Sequence, residues 1–283
     1  MPSHADRSVA LNALFDLDAA LACGRVTPTA QTWQKPKSDT EEMDELERIS
    51  DLARFAIRRS SGKSILEGSI SPRLSRHYID AFCRLLLLGK LNGTLDLARM
   101  YMRRGADYGE IAEQLFSMAA ICLGDRWDVD KATMIEVNIG ISTLLRTDIA
   151  LRSSFCLPTE THDRCALFGF LQCQAHTLGI TFAAQYFRQN GWNTHYMPAT
   201  TLEEFADAAE KVSPSIVGLT AGSDMEVSLL SLVIQELRRL PNMPKIIVGG
   251  SSPHLPKLGA DAVVSGLDMA LLASERLLGE RLV

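Results

Sequence analysis

From Cys165 to Gly250 the chain alternates between two hydrophobic periods. Short segments of strand length, the apolar runs CALFGF (165–170), SIVGLT (215–220) and KIIVGG (245–250) together with Asn193 to Pro198, are separated by longer helical segments, Ile180 to Gln189, Thr201 to Lys211 and Met225 to Leu240. Strand and helix in strict alternation imply a parallel sheet with right-handed crossovers, because parallel neighbours cannot be joined by a tight hairpin. In open sheets of this kind ligands bind beyond the carboxyl ends of the strands, where the following helix points its amino terminus at the guest. The first turn on that edge is Gln174-Ala175-His176-Thr177-Leu178-Gly179. A histidine there can give one ring nitrogen to a metal while a neighbour holds the other, and Gln174 stands two residues away. Taken alone, a loop histidine reads first as a surface residue or as a partner of the helix start.

The amino-terminal half carries a different pattern. A helix is predicted from Thr40 to Arg59, with Met43, Leu46, Ile49, Leu52 and Phe55 on one face, an acidic start and a basic finish that suit the helix dipole. Further helices are predicted over Pro72 to Lys90, Leu95 to Arg104, Tyr108 to Leu123 and Thr133 to Arg152, punctuated by Gly62, Gly68, Gly93, Gly105 and Gly124. No strand pattern precedes Cys165, so this half reads as a bundle of four or five helices. Before it, residues 1–39 combine an amphipathic stretch, Val9 to Leu21, with a polar segment broken by Pro28 and Pro36, which reads as a flexible extension. The predicted organisation is therefore an extension at 1–39, a helical bundle at 40–157 and an α/β domain at 158–283, with Pro158 to Asp163 as the connection. Two domains are what 283 residues lead one to expect.

Composition narrows the function classes. A net charge of −5 does not advertise nucleic acid as a partner. The three arginines within Arg54 to Arg59 lack the paired-helix turn and basic reading face of a DNA-binding helix, so direct DNA binding is not expected. Six cysteines, Cys23, Cys83, Cys122, Cys156, Cys165 and Cys173, show no C-x-x-C spacing, which indicates neither a zinc site nor a disulfide framework. Cys173, three residues before His176, could compete for a metal or sense oxidation, with a structural thiol as the simpler reading. There is no secretory signal and no apolar run long enough to span a membrane, so a cytoplasmic location is expected.

The carboxyl-terminal half resembles the cobalamin-binding domain family, whose signature is Asp-x-His-x-x-Gly, then Ser-x-Leu, then Gly-Gly, each at a strand end. Here the three stand as Gln174-Ala175-His176-Thr177-Leu178-Gly179, Thr220-Ala221-Gly222 and Gly249-Gly250. The resemblance implies a flavodoxin-like fold, with an all-α bundle as a cap over the corrin. It also implies His176 as the lower axial ligand of cobalt, Thr177 and Gly179 beside it, and a nucleotide tail running into the sheet beside Thr220, Gly222, Gly249 and Gly250. Gln174 replaces an aspartate and can accept the histidine's second N–H only as a neutral amide. Thr220 keeps a hydroxyl for a ring nitrogen, Gly222 opens space where leucine would stand, and the paired glycines either admit a bulky ligand or simply make a tight turn.

In the bundle, Trp127 matches the tryptophan that cobalamin photoreceptors place over the upper face of the corrin. The Glu-His pair that follows it in those proteins reads Val137-Asn138 here. Thr133-x-x-Glu136 also has the form of a capping box, and Trp127 could equally be core. The overall plan resembles the PpaA/AerR regulators of photosynthesis genes. That implies a light-responsive antirepressor without enzymatic activity, binding hydroxo-, methyl- or adenosylcobalamin and acting on a separate repressor of the PpsR/CrtJ type. The alternatives are a corrinoid shuttle for methyl transfer, a haem sensor on the same fold using His176, and a cofactor-free interaction scaffold.

Overall fold

The computed structural model describes residues 74–155, 161–172, 174, 177–250 and 254–279. The extension at 1–39, the helix expected at 40–59, Cys173 and His176 lie outside the described residues. The chain divides into two compact units, with the boundary between Cys156 and Leu157. Among the described residues no helix is long and apolar enough to cross a membrane.

The first unit is helical. Its elements are α1 (Arg76–Leu87), α2 (Leu91–Met102), α3 (Tyr108–Glu110), a π-helical stretch (Ile111–Ser117), α4 (Met118–Asp128) and α5 (Met134–Arg152). Helix α1 starts at Ser75, whose hydroxyl accepts the Tyr78 N–H at 3.4 Å, and it buries Tyr78, Ala81, Phe82, Leu85 and Leu86 along one face. Phe82 stacks on Phe116 with ring centroids 6.0 Å apart. Helix α5 starts on the Thr133/Glu136 capping box: Glu136 Oε2 accepts the Thr133 N–H at 2.7 Å, and Thr133 Oγ1 accepts the Glu136 N–H at 3.3 Å. Val137, at the position where the photoreceptors carry glutamate, is buried in the bundle.

Two expectations for this unit are corrected. Gly124 does not interrupt a helix, since it lies within α4 and a Cβ there would meet nothing within 4 Å. The second helix begins at Leu91, four residues before its first predicted residue, because Gly93 gives Leu85 of α1 room to approach: a Cβ at Gly93 would lie 3.1 Å from a Leu85 methyl.

The second unit is a five-stranded parallel sheet of β1 (Thr161–Leu171), β2 (Trp192–Thr200), β3 (Ile216–Ala221), β4 (Lys245–Gly250) and β5 (Ala262–Val264), in the spatial order β2-β1-β3-β4-β5. This is the flavodoxin-like order. The crossovers are α6 (Leu178–Gln189), α7 (Leu202–Val212) and α8 (Asp224–Leu237), and α9 (Leu267–Leu277) closes the fold. Strand β1 begins at Thr161, not at Cys165. Its polar first residues do not alternate, yet Thr161 pairs with Trp192, and an irregularity in register separates that pair from Cys165↔Asn193.

The strands alternate cleanly between two cores. Leu167, Leu171, Val217, Leu219, Ile246 and Val248 meet Phe205 of α7 and Leu230, Val233, Ile234 and Leu237 of α8. On the other face, Phe168 packs edge-on against Phe187 of α6 with centroids 4.8 Å apart, and Phe187 leans on Trp192 at 5.1 Å. Two strand glycines admit these rings. A Cβ at Gly218 would lie 2.2 Å from Phe168, and one at Gly169 would lie 2.6 Å from Phe205.

Candidate functional site

The site is built where neighbouring strands part. Strands β1 and β3 pair only from Ala166↔Ile216 to Phe168↔Gly218. Beyond that point β1 stays with β2, ending at Leu171↔Thr200, while β3 stays with β4 through Thr220↔Gly249 and Ala221↔Gly250. The crevice between them is the topological switch point, because the chain crosses to one side of β1 through α6 and to the other through α7.

Gln174 bridges the crevice. Its Oε1 accepts the Leu171 N–H at 2.8 Å, and its Nε2 donates to the Thr220 carbonyl at 2.7 Å. Its own N–H donates to the Leu171 carbonyl at 2.9 Å. The side chain is buried, 2% exposed, so both ends of the amide serve the backbone at the mouths of β1 and β3. The spacing suggested that Gln174 would hold the ring of His176. In the structure the amide is a latch across the two strands; His176 lies outside the described residues.

Past Gln174, Thr177 occupies the residue before α6 without a capping bond from its side chain, and its carbonyl accepts from the Thr181 hydroxyl at 2.9 Å. Thr181 also bonds the Tyr196 hydroxyl at 2.6 Å, which ties the first turn of α6 to β2. Gly179 is exposed, and a Cβ there would meet nothing within 4 Å. Across the crevice, Thr220 is buried opposite Gly249, whose added Cβ would come no closer than 3.8 Å to Val264. Gly250 differs in kind. With φ at +134°, a Cβ would sit 1.9 Å from the Ala221 carbonyl oxygen, so the β3–β4 pairing itself demands glycine. The paired glycines therefore have separate reasons: Gly250 serves the chain, and Gly249 leaves room.

Glu226 belongs to this edge and was missed in the sequence. Its carboxylate, 2% exposed, accepts the Gly222 N–H at 2.6 Å, while its own N–H donates to Ser223 Oγ at 3.3 Å. The turn from Thr220 into α8 is thereby fixed from beneath. Ser223-x-x-Glu226 has the capping-box form, so the signal was present. One turn away, His254 Nε2 lies 3.6 Å from Asp224 Oδ1.

In the helical unit, Trp127 is half-buried in the last turn of α4, and its carbonyl accepts the Asp130 N–H at 3.1 Å. No group of three or more His, Cys, Asp or Glu side chains suited to a metal occurs among the described residues. A single protein nitrogen would complete an ion that a macrocycle already holds from four sides, so cobalamin or haem makes a smaller demand than a bare metal. The residues present fit such a group: Gly179 is exposed at the start of α6, and the buried Thr220 of β3 pairs with Gly249 of β4, where an added Cβ would meet only ordinary contacts.

Comparison with known proteins agrees with this geometry. Residues 167–270 match the family described as B12 binding domain, which supports cobalamin binding by the second unit. A Methanosarcina barkeri monomethylamine corrinoid protein superposes with a TM-score of 0.57 at 15% identity, covering 70% of this chain and 95% of that one, and shares the fold. A cobalamin-binding protein from Desulfitobacterium hafniense DCB-2 aligns with a TM-score of 0.38 at 16% identity over 70% of this chain and 98% of that one. No curated protein matches the chain in sequence.

Proposed function

We propose that the chain is a cobalamin-dependent regulator that acts on a repressor protein and catalyses no reaction of its own. The observation that carries this reading is the parting of β1 from β3 at the switch point, within the segment that matches the B12 binding domain and beside the motif positions 174–179, 220–222 and 249–250. Cobalamin bound there supplies a corrin that absorbs visible light and a cobalt–carbon bond that light breaks.

The chain's own contributions divide as follows. His176 offers an imidazole nitrogen to cobalt. Thr177 and the exposed Gly179 stand at the start of α6, Thr220 offers a hydroxyl, Gly249 carries no side chain, and Gly222 with Glu226 sets the turn after β3. Trp127 is carried over from the resemblance alone, as an indole to face the corrin. Gln174 favours the regulatory reading over the methyl carrier, since a neutral amide latched at both ends puts no carboxylate behind position 176 to take up a proton.

The test uses purified protein loaded with adenosylcobalamin in darkness. Its affinity for a repressor of the PpsR/CrtJ type should change on illumination, in step with the absorption spectrum. Equal affinity in dark and light discards the switch, and methyl turnover through a reduced cobalt centre would favour the carrier instead. A haem-type spectrum formed with haemin but not with hydroxocobalamin would replace the cofactor.

A further inference from the structure

Helix α5 is apolar on the side it shows as well as on the side it buries. Val137, Leu144 and Leu151 are buried in the bundle. On the far side Ile135 is 73% exposed, Ile149 61% and Ile139 42%. At about 100° per residue these three, with the exposed Ser142 and Arg146 between them, fall within about 40° either side of one line along the helix. The stripe is roughly 21 Å long. Leu88, 47% exposed, widens it, since a Cβ on the neighbouring Gly89 would lie 3.4 Å from Ile139 Cγ2. Single exposed isoleucines are ordinary, but three in a row with a leucine beside them make a patch of the kind that marks an interaction surface.

The order of residues along the stripe says what fits it. Ile135 and Ile149 stand seven residues to either side of Ser142, and Ile139, three before it, answers to Arg146, four after it. A second copy of the helix, turned end for end about a two-fold axis at Ser142, therefore lays Ile135 over the partner's Ile149 and Ser142 over the partner's Ser142. Ile139 then lies along the aliphatic stem of the partner's Arg146, whose guanidinium reaches Glu136, exposed on the flank of the stripe. Symmetry repeats the contact, so two ion pairs border one apolar seam. The small, central Ser142 lets the helices approach closely, and opposed macrodipoles favour the antiparallel sense.

We infer that α5 is the contact face of a homodimer, in which two copies pack antiparallel through Ile135, Ile139, Ser142 and Ile149, with Glu136 of each copy paired to Arg146 of the other. A different partner protein needs no such symmetry in the row; a second copy does. One helix pair is at the small end of specific interfaces, so the dimer dissociates on dilution.

The experiment is sedimentation equilibrium of the full-length protein over a graded concentration series, without added cobalamin, so that its outcome is separate from the cofactor reading. The expected mass rises from that of one chain towards that of two. Ile139→Asp and Ile149→Asp should stay at the mass of one chain with thermal midpoints close to that of the unaltered protein, since both positions are exposed. Arg146→Glu should weaken the dimer several-fold, more so at low salt, where it meets the partner's Glu136. Ser142→Cys should give, on mild oxidation, a peptide cross-linked from position 142 of one copy to position 142 of the other, a readout that stands even where an aspartate variant fails to fold. The mass of one chain at every concentration would overturn the proposal, as would a dimer that survives Ile139→Asp or forms with no 142–142 cross-link.

Discussion

Gln174 shows how much can rest on one amide. Removing it takes away the partner that the side chain gives to the Leu171 N–H and to the Thr220 carbonyl. At about 1–3 kcal/mol for each buried group that loses this partner, Gln174→Ala should cost about 2–6 kcal/mol in urea unfolding. Gln174→Asp restores the family's carboxylate but shortens the side chain, so it should also lose stability; unchanged stability in both variants would remove the latch. The paired glycines should separate in the same assay. Gly250→Ala forces a Cβ to 1.9 Å from the Ala221 oxygen and should cost several kcal/mol, whereas Gly249→Ala meets only ordinary contacts and should be mild. Asp148, fully buried between Tyr108 and Arg152, gives the bundle a pH dependence. Burial raises its carboxyl above the ordinary value, against the pull of Arg152 and Tyr108. The folded state then favours the protonated form more than the unfolded chain does, so this contribution is full at low pH and is lost as pH rises through the folded value. Asp148→Asn should flatten that part of the thermal midpoint profile above about pH 4; an unchanged profile would assign the slope to other groups.

At the scale of elements, the alternation of periods was legible because β1, β3 and β4 are buried on both faces and read as continuous apolar runs. The start of β1 was hidden, since Thr161 to Arg164 carry no alternation and the strand there is fixed by pairing with β2 rather than by its own pattern. Gly124 misled for the opposite reason: a glycine inside a helix costs only about 1 kcal/mol relative to alanine, and the surrounding helix absorbs it. The π-helical stretch could not be read either, because its extra residue per turn is set by packing and is supported by Ser117 Oγ donating to the Ala112 carbonyl at 2.8 Å. For the candidate site, the three strand-end motifs could be located, but their division of labour could not. That Gly250 answers to Ala221 while Gly249 stays open, and that Gln174 turns to the backbone, are facts of the third dimension. Glu226 is signalled only by Ser223-x-x-Glu226, a pattern that marks a helix start and does not tell that the carboxylate is buried on the Gly222 N–H.

At the scale of the whole molecule, the chain comprises a helical unit held by a buried polar network and an α/β unit whose strands β1 and β3 part at the switch point. The B12 binding domain match falls on the second unit. The central claim is that His176 reaches cobalt at the mouth of the crevice. The most direct measurement is the absorption spectrum of hydroxocobalamin, taken in darkness, on titration with the purified full-length protein and with its His176→Ala variant. The account predicts a saturable shift to a histidine-ligated spectrum with the unaltered protein, and binding at least about 10–100-fold weaker with that spectrum lost in the variant. Identical spectra and affinities for the two proteins would contradict it.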